Sequence, residues 1–139
     1  FDKGGYLSNK GDFMDFMNYM AKNNSVEVSA NELSDGRFYV YKWLHNTPRK
    51  AYEFKEDMPR DGTFVKAQYH THTAPVVPSY ADARYSFQKN VPVYAICNDG
   101  SIWMIDRSSG TFTGTGYMMP APSYISETVF MKFFSIQIK

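Results

Sequence analysis

After Gly11-Asp12, apolar residues recur at Phe13, Met14, Phe16, Met17 and Met20, a three- and four-residue spacing that predicts an amphipathic helix ending near Lys22-Asn23-Asn24. The texture changes after Ser25. Val26-Glu27-Val28-Ser29-Ala30, a turn at Ser34-Asp35-Gly36 and the β-rich run Arg37 to Trp43 predict a hairpin around the Asp-Gly pair. Pro48, Lys55-Glu56-Asp57 and Pro59-Arg60-Asp61-Gly62 interrupt this pattern before Thr63 to His72 restores it as a strand. A proline-rich turn from Thr73 to Pro78 leads into a helix over Ser79 to Gln88, with Ser79 as its cap. Val91 to Cys97 and Ser101 to Asp106 then flank Asn98-Asp99-Gly100 as a second hairpin. Near the end, Val129, Phe130, Phe133 and Phe134 mark an apolar segment that fits helix and strand alike. The order helix, hairpin, strand, helix, hairpin predicts an α/β (α+β) fold, a mixed β-sheet with flanking helices, in one domain over residues 1–139.

Composition narrows the functional classes. With 139 residues, 43% apolar and 21% charged, the chain can bury roughly two thirds of its unfolded surface, which excludes a disordered reading. The net charge is +1 and no basic run exceeds Arg49-Lys50, so a phosphate-binding groove for nucleic acid is not expected. No stretch approaches the roughly 18 consecutive apolar residues of a spanning helix, and no membrane partner is expected. The lone Cys97 excludes an internal disulfide and a cysteine-rich zinc knuckle, so a metal would have to be held by histidine and carboxylate. Because the sequence begins at Phe1, the expectation is a domain cut from a longer polypeptide, with localisation left open.

Two of the three histidines, His70 and His72, alternate on the predicted strand and so share a face, an arrangement that suits a metal ion. A third ligand is offered by Asp82, ten residues after His72 and one turn into the following helix, with Ser79 three residues earlier on the same helix face. Each feature has a plainer explanation. Ser79-x-x-Asp82 is close to a capping box, and two alternating histidines can be an exposed pair. Their coincidence, a histidine pair followed after a short loop by a helix that carries an acid, favours a metal site. Cys97, in an apolar strand, reads as a buried small hydrophobe, His45 as a surface residue, and the Phe13, Met14, Met17, Met20 stripe as core.

Tyr69-His70-Thr71-His72 followed by Pro78-Ser79-Tyr80-Ala81-Asp82 resembles the His-x-His, Ser-x-x-Asp signature of JAB/MPN-type (JAMM) zinc metallopeptidases, over most of the chain from the first helix through the second hairpin. The resemblance implies a JAB/MPN (cytidine deaminase-like) architecture, with Zn2+ as cofactor and His70, His72 and Asp82 as its ligands. It further implies Ser79 as the donor that holds the oxyanion, and a glutamate on an earlier strand that activates the attacking water. Glu27 matches that glutamate by its place after a helix and at the start of the hairpin. Glu32 would face the other way, and Glu53, after the hairpin, is the weaker alternative. Two departures stand out: the gap from His72 to Ser79 is six residues, one shorter than the common form, and a glycine often found after the glutamate is replaced by Ala30.

The activity implied is hydrolysis of a peptide or isopeptide amide bond, with a protein or peptide substrate. The resemblance is closer to the JAMM-like modules of bacterial polymorphic, Rhs-type toxins than to eukaryotic deubiquitinases. It therefore implies a secreted or delivered effector and a cognate immunity protein as partner. The alternative is a noncatalytic protein-interaction module of the same fold. Competing chemistries fit less well. A zinc deaminase needs a glutamate in its histidine motif and a Cys-x-x-Cys. A His-Glu-x-x-His helix is missing, a cupin would want a later histidine, and a TIM-barrel amidohydrolase needs about 250 residues.

Overall fold

The computed structural model of the chain describes residues 4–43, 46–48, 50, 51, 53, 61–74, 82, 85, 86, 89–105, 136 and 137. They form an α+β domain: helix α1 (Lys10–Asn23) and a mixed sheet of strands β1 (Gly5–Leu7), β2 (Ser29–Leu33), β3 (Phe38–Val40), β4 (Val65–His72), β5 (Val93–Cys97) and β6 (Ile102–Ile105). A two-residue strand β7 (Ile136–Gln137) adds to the β6 edge, giving the order β1-β3-β2-β4-β5-β6-β7. All neighbours pair antiparallel except β4 and β5. That parallel pair needs a crossover, and helical backbone at Asp82, Tyr85, Ser86 and Lys89 lies within it.

Helix α1 follows from its sequence, with one refinement. Its cap is Asn9, whose side chain accepts the Asp12 N–H at 3.0 Å, so the helix starts just ahead of the expected Gly11-Asp12 boundary. Asp12 in the first turn and Lys22 in the last complement the helix dipole. The apolar stripe is core as expected: Phe13 and Met17 are fully buried, and Met20 nearly so. Phe13 stacks on Phe38 at 4.2 Å between ring centroids and meets Tyr69 edge-on at 5.0 Å. Val28, Ala30, Val40, Ala67, Ile96 and Ile102 complete this side of the sheet.

Both expected hairpins form, with glycine at positive φ in each turn, Gly36 at 92° and Gly100 at 89°. The first arm of the first hairpin starts later than expected. Strand β2 runs Ser29–Leu33 and not from Val26, because the chain before it turns to bond elsewhere: the Glu27 N–H donates to the Thr47 carbonyl at 2.9 Å. Strand β1 has no counterpart in the sequence pattern, being three residues paired to β3 alone. Of the expected second helix, Ser79 lies outside the described residues, as do His45 and the apolar segment from Val129 to Phe134.

Alternation along the strands decides what the other face of the sheet carries. Ser29 is opposite His70 and Asn31 opposite Gln68 across β2 and β4, while His70 and His72 lie beside Ala95 and Cys97 of β5. The face away from α1 therefore presents a buried polar row, Ser29, Gln68, His70 and His72, over small neighbours. Cys97 is fully buried there, in keeping with its expected packing role.

Candidate metal centre

His70 and His72 close the C-terminal end of β4, beside the C-terminal end of its parallel partner β5, the kind of position where open sheets place their ligands. Their imidazoles converge, with Nε2 atoms 2.9 Å apart. Asp82 reaches the same point from the crossover, its Oδ2 lying 3.2 Å from His70 Nε2 and 3.8 Å from His72 Nε2. The three residues expected from the sequence are thus brought together, and as a His-His-Asp group they could hold a metal ion. Both histidines are buried and Asp82 is half-buried, so two nitrogen donors and one carboxylate oxygen face one another largely out of water. Two neutral imidazoles and a carboxylate suit a divalent cation of borderline softness.

Glu27 stands in the field of this group. Burial pushes its carboxyl up from the ordinary glutamate value, His70 and His72 pull it down, and Asp82 adds to the rise. Its backbone is held at both ends: the Glu27 N–H donates to Thr47 O at 2.9 Å, and Asn46 Nδ2 donates to Glu27 O at 2.6 Å. One residue on, Val28 and Thr71 are linked twice, by Thr71 N–H to Val28 O at 2.9 Å and by Val28 N–H to Thr71 Oγ1 at 2.8 Å. Glu32 faces α1 as expected, where it accepts from the Tyr69 hydroxyl at 3.3 Å and pairs with Lys66 at 3.8 Å.

Glu53 sits behind the histidines. Its Oε1 accepts from Ser29 Oγ at 2.7 Å and from Gln68 Nε2 at 3.1 Å, and its Oε2 lies 3.5 Å from the Tyr85 hydroxyl. Burial and the adjacent Glu53 both raise the Tyr85 hydroxyl, which keeps its proton. Gln68 Nε2 also donates to Ser29 Oγ at 2.8 Å, and its Oε1 meets His70 Nδ1 at 3.1 Å. Sequence reasoning missed Gln68 and Ser29. The signal available was period two, since Gln68 precedes His70 on the same strand face just as His72 follows it.

Beyond His72 the chain is pinned before it crosses over: Thr73 Oγ1 donates to Pro48 O at 3.1 Å, and Asn98 Nδ2 donates to Thr73 O at 2.8 Å. No protein-family model matches the chain, and no curated protein matches its sequence.

Proposed function

We propose that the chain is a zinc-dependent hydrolase of the JAB/MPN (JAMM) type that cleaves a peptide or isopeptide amide bond. The observation carrying this reading is the convergence of His70 Nε2, His72 Nε2 and Asp82 Oδ2 in the field of Glu27. Ligand atoms around a tetrahedral zinc, bonded at about 2.0–2.1 Å, stand roughly 3.3–3.4 Å apart. The separations of 2.9, 3.2 and 3.8 Å straddle that value. Three protein ligands are also the number typical of a catalytic zinc, against four in a structural one.

His70, His72 and Asp82 would hold the ion, and the chemistry it supplies when bound is Lewis acidity, lowering the pKa of water and polarising a carbonyl. Glu27 takes the proton of the attacking water and returns it to the leaving amine, a role for which its burial-raised proton affinity suits it better than an exposed carboxylate. Ser79 enters through the signature alone, as donor to the oxygen on which charge develops. The same resemblance makes the substrate a protein or peptide and, for a toxin-type effector, adds an immunity protein as partner.

Elemental analysis of protein purified without added metal tests the reading, together with N-terminal mapping of products from a proteome incubated with wild type and Glu27→Ala. Stoichiometric zinc that His70→Ala loses, with new termini that vanish in Glu27→Ala while its zinc remains, is the expected result. Zinc-free wild-type protein that takes up none on addition overturns the proposal in favour of a noncatalytic interaction module.

A further inference from the structure

We propose that Gln68 is a positioning residue for the metal site: clamped by Ser29 and Glu53, its amide holds His70 as the Nδ1–H tautomer and leaves the Nε2 lone pair for the ion. The inference rests on the metal-site reading and extends it to residues outside the His-x-His, Ser-x-x-Asp signature.

The assignment follows from what each group can donate. Glu53 Oε1 accepts from the Ser29 hydroxyl at 2.7 Å and from the Gln68 amide nitrogen at 3.1 Å. Having given its proton to Glu53, Ser29 Oγ is left to accept, which it does from the same amide nitrogen at 2.8 Å. Both partners on that side demand the NH2 end of Gln68. Its carbonyl oxygen is therefore the atom 3.1 Å from His70 Nδ1, and that contact is a hydrogen bond only if Nδ1 carries the proton. In a neutral imidazole with its proton on Nδ1, the lone pair is at Nε2, the atom that converges with His72 Nε2 and Asp82 Oδ2. Ser29 is 1% exposed, His70 4% and Gln68 8%, so a flipped amide would set its carbonyl oxygen against the Glu53 carboxylate, acceptor facing acceptor, with little water to relieve the clash. Metal-binding histidines elsewhere fix their tautomer with a carboxylate or carbonyl directly on the second nitrogen. Here an amide relays the carboxylate.

The test uses the metal-free protein first. At about pH 8, where imidazole is neutral, long-range proton–nitrogen NMR correlation should show His70 with a pyrrole-type Nδ1 and a pyridine-type Nε2. Gln68→Met keeps the side-chain length and removes both ends of the amide. It should mix the tautomers and weaken zinc binding, measured by chelator competition, about 10- to 100-fold. Glu53→Gln is the second variant should Gln68→Met fail to fold. A carboxamide at 53 no longer dictates the sense of Gln68, so the tautomers should again mix, with a smaller loss of affinity. A wild type dominated by the Nε2–H tautomer overturns the proposal, as does an unchanged tautomer ratio or unchanged zinc affinity in whichever variants fold. A wild type that binds no zinc sinks the metal reading, whereas the tautomer signals in metal-free protein still decide the role of Gln68.

Discussion

Ser29 and His70 face each other directly across β2 and β4, and this single register relation organises the site. Strands β2 and β4 are antiparallel, and just ahead of Ser29 the chain stays tied to β4 at Val28, which is doubly bonded to Thr71, before Glu27 turns to the Thr47 carbonyl. A one-residue slip of β4 in this register would turn His70 and His72 to the α1 side. The sheet thus fixes both imidazoles on the face away from α1, and the Val28–Thr71 bonds tie the Glu27 segment to the same strand.

That placement predicts a separation of functions. Glu27→Gln keeps the size and the backbone bonds to Thr47 and Asn46 but cannot accept a proton. Cleavage should fall about 10²- to 10⁴-fold, the usual contribution of a general base. Zinc content should stay at the wild-type level, since Glu27 is not among the converging ligand atoms. Parallel loss of metal and activity in this variant would make Glu27 a ligand instead of a base.

Metal binding should register as stability. An ion that binds only the folded chain stabilises it by about 2.7 kcal/mol at a free concentration one hundred times Kd. That corresponds to a rise of several degrees in Tm for a domain of this size. Thermal unfolding should shift upward on adding zinc and return on adding a chelator. His72→Ala should abolish the shift. Asp82→Asn should reduce it, because an amide oxygen is a weaker donor than a carboxylate.

How much of this was legible in the chain follows from how local each signal is. The α1 stripe, the hairpin around Asp99-Gly100 and the His-x-His alternation are set by neighbours within a few residues, and each is where its periodicity placed it. Strand β2 starts later than its pattern because Glu27 bonds Thr47, twenty residues on, and its Ser29 and Asn31 are almost fully buried although polar. Their polar groups are met by Glu53 for Ser29, far along the chain, and by Tyr41 for Asn31, just past the other arm of the hairpin. Glu53 emerges from a segment that composition marks only as an interruption, and its bonds to Ser29 and Gln68 span 24 and 15 residues. Strand β1 is legible only as an edge addition, with one partner and no alternation of its own.

The opposite face of the sheet supplies a prediction about stability alone. Phe13 is fully buried between α1 and the sheet, in ring contact with Phe38 and Tyr69. Phe13→Ala should cost about 3–5 kcal/mol, since lost burial and a residual cavity add. Urea unfolding should show the drop in midpoint, while the fraction that remains folded keeps its zinc stoichiometry. Loss of metal from that fraction would mean that the two faces of the sheet are mechanically coupled.

Two glycines separate backbone conformation from steric contact. Gly36 and Gly4 both have positive φ, 92° and 89°, a region that costs an L-residue about 1–2 kcal/mol. A methyl group at Gly36 meets nothing within 4 Å, so Gly36→Ala should lose only that amount. At Gly4 the same methyl would lie 2.8 Å from the Val40 carbonyl oxygen and 3.1 Å from the Lys42 nitrogen, both backbone atoms that cannot swing aside. Gly4→Ala should therefore be the more damaging, and the damage should be local, because Gly4 leads into the edge strand β1 on β3. Hydrogen exchange provides the measurement. Amides of Gly5–Leu7 and Phe38–Val40 that pair β1 with β3 should exchange faster in Gly4→Ala, while those of β4 and β5 keep their protection. Uniform acceleration across the sheet would show instead that β1 is integral to the cooperative core.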